Sequence, residues 1–227
     1  MRRLCDPADA RRLLNPGPLA IVTTSWRAMA NAAPVAWTVP LSMAPPLVGI
    51  AVHPDRHTAD MIRYSEEFAL NIPGPALARQ AAFLGSLSGR DTNKIEAAGI
   101  ETFHGLRVES PLIVGCLAWI ECSLQDVFTT GDHTFFTGRV EKVQALDEAY
   151  AGTWLLNDPH YSPLVYLGGT RYATLSGARD VTFAVDIQGR LVAETAEERE
   201  AREEAEARER ELRKAEGDEG FEAMRVR

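Results

Sequence analysis

The chain has 227 residues, a hydrophobic fraction of 45% and a charged fraction of 25%, values typical of one globular domain with an appended segment. Its formal net charge is −8, and residues 194–227 carry 13 acidic against 8 basic side chains, so much of the acidity is concentrated there. The rest of the chain has no basic excess that would bind nucleic acid. Its apolar stretches are too short to cross a bilayer, and we expect no secretion signal. The composition therefore predicts a cytoplasmic protein that binds neither nucleic acid nor membrane.

Runs of β-branched and apolar residues between Pro, Gly and polar turns predict the strands. In chain order they cover residues 19–24, 33–39, 47–52, 68–72, 116–128, 133–143 and 164–167. Helices are predicted to end near residues 14, 65, 84 and 98, and Thr58 and Asp91 are the predicted N-caps of the second and the fourth. Short strands, tight turns and helices without a βαβ rhythm predict a mainly β fold, a β-barrel with helical insertions.

Residues 194–227 are predicted to form a separate charged segment after a domain that covers residues 1–193. Glu198–Arg202 and Glu204–Arg208 are among its pairs with favourable i,i+4 order, which indicates a solvated helix that is fully or partly formed. No apolar stripe recurs at heptad positions, so the segment is not expected to form a coiled coil.

Metal and hydrolase chemistry lack their usual residues in this sequence. His53 and His57 are four residues apart, but Pro54 between them prevents the helix that would make them a zinc pair. Cys116 and Cys122 would lie about 20 Å apart on one predicted strand, which excludes a local disulfide or metal clip. Glycine-rich nucleotide loops and the nucleophile elbow are also missing from the sequence, so we expect neither a metal site nor a hydrolase.

Two loops have the composition of an anion site. Residues 56–58 fall at a predicted helix start, where free N–H groups and the helix dipole favour an anion. Residues 88–90 lead into another helix start, and Lys94 lies three residues past its predicted cap. Taken singly, each loop is explained as well by ordinary helix capping. Together, in a chain without basic excess, they indicate a ligand that carries a phosphate.

The order of the segments along the chain is more specific than any one of them. The sequence runs from Asn-Ala-Ala-Pro-Val-Ala-Trp at 31–37 through the two loops to Ile-Glu-Cys at 120–122 and Gly-Asp-His at 131–133. This series resembles the flavin reductase-like family with the FMN-binding split barrel, and most closely its flavoredoxin branch, over about residues 13–172. The resemblance implies a six-stranded antiparallel Greek-key barrel and a homodimer. It also implies one flavin mononucleotide (FMN) per subunit near the dimer interface.

The resemblance assigns roles to residues by position. Asn31 and Trp37 match residues that contact or flank the isoalloxazine ring, whereas Thr58 and Lys94 match contacts of the phosphate end. His133 matches a histidine near the flavin and is the candidate catalytic residue. The other candidate cofactor-binding residues are Thr38, Ser42, Arg56, His57, Ser88, Arg90 and Tyr166.

Each of these side chains also has an ordinary alternative role. Trp37 and Tyr166 are otherwise core aromatics, and Lys94 is otherwise a charge on a helix surface. Asn31 and His133 are otherwise residues of turns. The ordered series favours the flavin roles, except that Tyr166 stands where flavoredoxins often have phenylalanine and is equally explained by either role.

Three functions are compatible with this family. The first is an NAD(P)H-dependent flavin reductase, in which NADH or NADPH binds transiently and gives a hydride to flavin N5. Such a protein supplies free reduced flavin to a monooxygenase, or electrons to a redox partner protein. The second is a flavoredoxin-like electron carrier with bound FMN and no nicotinamide activity, and the third is a binding module without catalysis. N–H donors or a cation near N1 and O2 would stabilise the reduced ring in either redox function.

Overall fold

The computed structural model describes residues 6–7, 10–14 and 17–178, and the isolated positions 184–185, 188, 191–192 and 208. The chain divides into two compact units, residues 1–178 and 179–227. In the second unit, Ala184–Val185 and Leu191–Val192 pair as antiparallel strands, and Arg208 is helical. The predicted domain boundary at residue 193 stays a prediction, and the predicted ion pairs of the charged segment lie outside the described residues.

The first unit contains most of the described secondary structure. Its strands are β1 (Gly17–Pro18), β2 (Ala20–Trp26), β3 (Met29–Val35), β4 (Thr38–Met43), β5 (Pro46–Val52), β6 (Glu67–Pro73), β7 (Thr102–Phe103), β8 (Leu112–Ile113), β9 (Cys116–Thr130), β10 (His133–Ala145), β11 (Leu164–Gly168) and β12 (Arg171–Thr174). Its helices are α1 (Ala10–Leu14), α2 (His57–Ser65), α3 (Ala78–Ser86) and α4 (Lys94–Ala97), with 3-10 turns at Pro75–Leu77 and Pro159–Tyr161. In the described part of the chain, no helix has the length and hydropathy to cross a membrane.

The barrel closes because β3 and β4 form one bent segment, in which β3 pairs with β2 and β4 pairs with β5. The large sheet has the order β3-β2-β6-β9-β10-β5-β4, and every neighbouring pair in it is antiparallel. Only Ala36 and Trp37 separate β3 from β4, so this segment joins the two ends of the sheet. With β3 and β4 counted as one bent strand, the barrel has six strands. The return of β10 to pair with β5 is a Greek-key connection.

The predicted fold class is therefore confirmed, although one predicted strand is divided and the short strands β1, β7, β8 and β12 were not predicted. Residues 33–39 are not one extended strand, because the chain changes partner from β2 to β5 at Ala36 and Trp37. At this bend the Ala51 N–H donates to the Trp37 carbonyl at 3.0 Å. The bend sets the place of Trp37 at the edge of the barrel.

Alternate residues of β2 face two different cores, because successive side chains in a strand point to opposite faces. Val22 packs inside the barrel with Phe68, and Ile62 of α2 joins the same core. Ile21 packs on the other face of the sheet, in a cluster that includes Leu84 of α3. Burial on both faces accounts for the continuous apolar run that predicted this strand.

Both predicted helix caps around the site are wrong. α2 begins at His57 with Arg56 in the extended N-cap position, so Thr58 is the second helical residue. Its hydroxyl accepts a hydrogen bond from a distant side chain and is not used as a cap. α4 begins at Lys94 and is capped by Asn93, whose side chain accepts from the Glu96 N–H at 3.4 Å. The Asn-x-x-Glu spacing is that of a capping box, which competes successfully with Asp91.

Asn71 links three strands through one buried side chain. Its amide nitrogen donates to the Ile21 carbonyl at 2.9 Å and to the Thr23 hydroxyl at 3.0 Å. Its amide oxygen accepts from the Ile113 N–H at 2.7 Å. Because Asn71 is fully buried, water cannot replace these partners when the amide is removed.

We expect Asn71→Ala to lower the free energy of unfolding by about 3 kcal/mol or more, since it leaves several buried polar groups unpaired. Urea unfolding of the purified protein measures this loss. Asn157→Ala, at an exposed position, is the matched control and should change stability by less than about 0.5 kcal/mol. Similar losses in the two variants would contradict the structural role of Asn71.

Candidate functional site

Two adjoining cavities lie beside the barrel where it meets the helices. The wide cavity has a volume of about 640 Å³, and the narrow cavity has a volume of about 330 Å³. Both are lined by Pro34, Val35, Val52, Arg56 and Gly85. Since these residues belong to β3, β5, α3 and the segment before α2, the two cavities form one cleft at that junction.

The narrow cavity is built on the first turn of α2. His57 and Thr58, the first two helical residues, both line it. Arg56 occupies the N-cap position, and an arginine side chain has no acceptor atom with which to cap the first N–H groups. The start of this nine-residue helix therefore presents unpaired donors and the positive end of the helix dipole to the cavity.

Lys94 places a buried cation in the same cavity. Its side chain is 4% exposed, and its ammonium group donates to the Leu84 carbonyl at 3.0 Å. Burial, followed by the charge of Arg56, lowers the pKa of Lys94 from 10.5 to about 8. Among the described ion pairs, none joins a carboxylate to Lys94. The narrow cavity is therefore a place where an anion would remove an electrostatic cost.

Asn31 supports the cavity from behind Thr58. Its amide nitrogen donates to the Thr58 hydroxyl oxygen at 3.1 Å, and both residues are 2% exposed. Because that oxygen accepts from Asn31, the hydroxyl proton of Thr58 is left to be donated elsewhere. The amide oxygen of Asn31 is buried without a hydrogen-bond partner among the described residues. A Cβ atom at Gly89 would overlap this oxygen, so only glycine allows the loop to approach so closely.

Arg90 joins the two walls of the narrow cavity. Its guanidinium donates to the Asp55 carbonyl and to the Asp60 carboxylate, each at 2.6 Å. Ser88 shapes the loop, since its hydroxyl accepts from the Arg90 N–H at 3.2 Å. Burial lowers the pKa of His57, and the charge of Arg90 lowers it further, so His57 is neutral at pH 7.

The wide cavity has an aromatic wall. The rings of Trp37 and His133 lie 4.5 Å apart between centroids, and His53 meets His133 edge-on at 5.5 Å. The Asp132 carboxylate lies 2.7 Å from His133 Nδ1, which therefore donates and leaves Nε2 for a second hydrogen bond. This hydrogen bond lowers the pKa of Asp132. Tyr166 also lines the cavity.

Comparison with known proteins identifies the family of this chain. Residues 11–176 match the family model described as a flavin reductase like domain. The chain belongs to the flavin reductase-like family. An uncharacterized protein of Aeropyrum pernix is 36% identical over 172 residues, which cover 75% of this chain and 64% of that protein. This chain thus spans slightly less than two thirds of that relative.

Further relatives of this flavin reductase-like chain include a reductase subunit and solved structures. HsaB, the reductase subunit of a flavin-dependent monooxygenase of Rhodococcus jostii, is 33% identical over 108 residues, 48% of this chain and 52% of that subunit. An FMN-binding protein from Thermus thermophilus has a TM-score of 0.69 and 26% identity, covering 80% of this chain and 99% of that one. The flavoredoxin of Desulfovibrio vulgaris shares the fold, with a TM-score of 0.66 and 23% identity over 74% of this chain and 92% of that one. The predicted resemblance is confirmed.

The structure brings together most of the residues predicted for the site of this flavin reductase-like protein. The cavities are lined by Trp37, Arg56, His57, Thr58, Ser88, Arg90, Lys94, Tyr166 and His133. Asn31 lies behind Thr58, on the side of the narrow cavity, and is not among the residues that line the wide one. Thr38 and Ser42 lie on β4, opposite Ile50 and Leu47 of β5, and line neither cavity.

Sequence analysis missed two aromatic residues of the wide cavity. His53 was considered only as a zinc ligand, and the described residues contain no cluster that could hold a metal. Tyr172 pairs with Tyr166 across β11 and β12, with ring centroids 5.5 Å apart. The Gly-Gly pair at 168–169 is a hairpin signal that could have placed these tyrosines side by side.

We expect Lys94→Met to raise the stability of the ligand-free protein at pH 7 by up to about 3 kcal/mol, because it removes an unpaired buried cation. The folded-state pKa of Lys94 lies below its unfolded value, so the cost of its charge is fully present below pH 8. It disappears as the pH rises from 8 to 10.5, and the difference between the two proteins should shrink over that interval.

Urea unfolding at several pH values measures this difference. Lys142→Met, at an exposed position, is the matched control and should leave stability almost unchanged. A stability difference for Lys94→Met that stays constant from pH 7 to pH 10 would show that burial does not perturb this amine.

Proposed function

We propose that this chain binds FMN, with the phosphate in the narrow cavity and the isoalloxazine ring in the wide cavity, and acts as an NAD(P)H-dependent flavin reductase. One observation carries the proposal: a buried lysine, which has no carboxylate partner in the part of the chain that the structure describes, lies in the same cavity as the uncapped start of α2. A phosphate dianion would provide the missing negative charge and accept from the free N–H groups.

The residues of the narrow cavity fit a phosphate in both charge and donor geometry. Lys94 has donors beyond the one used by the Leu84 carbonyl, and the Thr58 hydroxyl is held by Asn31 with its proton available. Arg56, which lines both cavities, adds positive charge at the point where they meet. The unpaired amide oxygen of Asn31 could accept from a hydroxyl only after a local rearrangement, because it is buried.

The wide cavity fits a planar ring and a second aromatic ligand. Its volume of about 640 Å³ lies within the ordinary range for small-molecule sites. Bound there, FMN would supply a two-electron acceptor that takes a hydride at N5 from NADH or NADPH. Trp37 and Tyr166 would flank the ring, and His133 would offer Nε2 as a hydrogen-bonding group to the flavin or to the nicotinamide.

A flavoredoxin-like electron carrier is the second candidate function. The described residues contain no βαβ unit that would hold a dinucleotide, so any nicotinamide must share the wide cavity with the ring. A protein that reserves this cavity for FMN alone would exchange electrons with another protein instead. The aromatic cavity and the phosphate contacts would be the same in both functions.

A homodimer and a redox partner belong to the same proposal. Val39, Leu41 and Met43 of β4 are exposed, Met43 to 96%, so this strand offers apolar side chains that a second copy would cover. HsaB is the reductase subunit of a monooxygenase, which makes a monooxygenase one candidate acceptor of the electrons. The buried, free cysteines Cys116 and Cys122 fit a cytoplasmic location.

The phosphate assignment predicts a selective loss of FMN affinity. Thr58→Val and Lys94→Met should each weaken FMN binding at least about tenfold, because each removes a donor to the phosphate. Riboflavin, which lacks the phosphate, should bind these variants as it binds the parent protein. Fluorescence titration of flavin-free protein measures both affinities.

Thr102→Val and Lys142→Met, both at exposed positions, are the matched controls. Equal losses for FMN and riboflavin would move the phosphate out of the narrow cavity. Failure of the parent protein to bind FMN at micromolar concentration would support the non-catalytic binding module and overturn both redox functions.

The reductase function predicts rapid bleaching of the flavin. Anaerobic addition of NADH or NADPH to the FMN-loaded protein should reduce the flavin at a catalytic rate in stopped-flow absorbance. His133→Asn should slow this reduction at least about tenfold, because it removes the imidazole beside Trp37 that would offer Nε2 to the flavin or to the nicotinamide. His104→Asn, at an exposed position, is the control. Reduction only by a protein donor would establish the carrier instead.

A further inference from the structure

The bridge from Arg90 to Asp60 connects two parts of the chain that are 30 residues apart. Arg90 lies in the loop after α3, whereas Asp60 lies in the first turn of α2. The same guanidinium also holds the Asp55 carbonyl, and Arg90 and Asp55 both line the narrow cavity. Arg90 therefore reaches from its own loop to the Asp55 wall of the cavity, and Asp60, which is not one of the lining residues, holds the guanidinium there.

The hydrogen bonds of Arg90 direct its charge to the protein wall. One terminal nitrogen donates to the Asp55 carbonyl and the other to the Asp60 carboxylate, each at 2.6 Å. The carboxylate offsets the guanidinium charge, whereas Lys94 has no such partner among the described ion pairs. Of the three cations that line the cavity, Arg56, Arg90 and Lys94, Arg90 is therefore the one whose charge a carboxylate already offsets.

The bridge lies at the solvent side of the cavity, and Lys94 lies at its buried side. The Arg90 and Asp60 side chains are 44% and 36% exposed, compared with 4% for Lys94. An ion pair with this exposure contributes little to folding. It can therefore be removed without unfolding the protein, and its main effect is on the shape of the cavity.

We propose that the Arg90–Asp60 bridge closes the outer end of the narrow cavity and so makes the site select a flavin that ends in a single phosphate. This inference rests on the proposed binding of FMN. FMN ends at its phosphate, so this phosphate fits the narrow cavity of about 330 Å³ beside Lys94. Flavin adenine dinucleotide (FAD) continues into a second phosphate and adenosine, which must leave the cavity past Arg90.

Charge adds to this steric selection. A second phosphate at the outer end would have to displace Arg90 from Asp60, and it would then face the uncovered Asp60 carboxylate. Asp55, which also lines the cavity and is exposed, adds a second carboxylate on that side. Both effects disfavour FAD and leave FMN unaffected, which is how a binding site achieves specificity by penalising the competitor.

The test compares the affinities of FMN, FAD and riboflavin for Arg90→Ala, Asp60→Asn and the double variant, by fluorescence titration of flavin-free protein. Each single variant should raise the affinity for FAD relative to FMN at least about tenfold. The double variant should gain no more than the better single variant, because the two side chains form one bridge. Arg79→Ala and Asp91→Asn, both at exposed positions, are the matched controls and should leave the ratio unchanged.

The alternative role of Arg90, direct contact with the FMN phosphate, gives the opposite result for Asp60→Asn. Freed from its partner, Arg90 would then tighten FMN binding, while Arg90→Ala would weaken FMN binding and spare riboflavin. That pattern would overturn the proposal, as would an FMN-to-FAD ratio that is the same in all variants. If the parent protein binds FMN and the variants have the same FMN-to-FAD ratio as the parent, the proposal about the bridge fails while the proposed function stands. A parent protein that binds no flavin overturns both.

Discussion

Lys94 is a buried ammonium group with which no carboxylate of the described residues forms an ion pair, and the organisation of the candidate site depends on it. The Leu84 carbonyl accepts one hydrogen bond from it, but a carbonyl dipole offsets only part of the cost of burying a full charge. The lowered pKa of Lys94 expresses that cost. A protein retains such a group at the expense of stability, and binding of an anion is the physical reason that fits its surroundings.

The barrel brings this cation to the aromatic wall of the cleft. The segment that closes the barrel bends at Ala36 and Trp37, because β3 and β4 pair with strands on opposite ends of the sheet. The bend places Trp37 beside His133, the first residue of β10. Pro34 and Val35 of the same segment line both cavities. The same bent segment therefore closes the barrel and lies along both cavities of the cleft.

Charged residues in the narrow cavity differ in function according to their partners. Arg90 satisfies its guanidinium with a carboxylate and a carbonyl, so it shapes the cavity wall. The Lys94 ammonium group has donors beyond the one that the Leu84 carbonyl uses. The Thr58 hydroxyl can donate its proton to a ligand, because its oxygen already accepts from the Asn31 amide. Residue type alone would treat Arg90 and Lys94 as equivalent phosphate ligands, whereas their hydrogen bonds distinguish them.

The sequence by itself determined most of the long strands, the family and the two loops that meet in the narrow cavity, because strand patterns and motif order are local or linear properties of the chain. The cap at Asn93 could have been read from the sequence, because Glu96 follows it at capping-box spacing. The tertiary structure decided the pairing of Asn31 with Thr58, whose hydroxyl is not used as a helix cap. It also left Thr38 and Ser42 outside the cleft. These features depend on contacts between residues that are far apart in the sequence or on the direction of a bend. Spacing along one chain does not specify which of several suitable partners a buried side chain will meet.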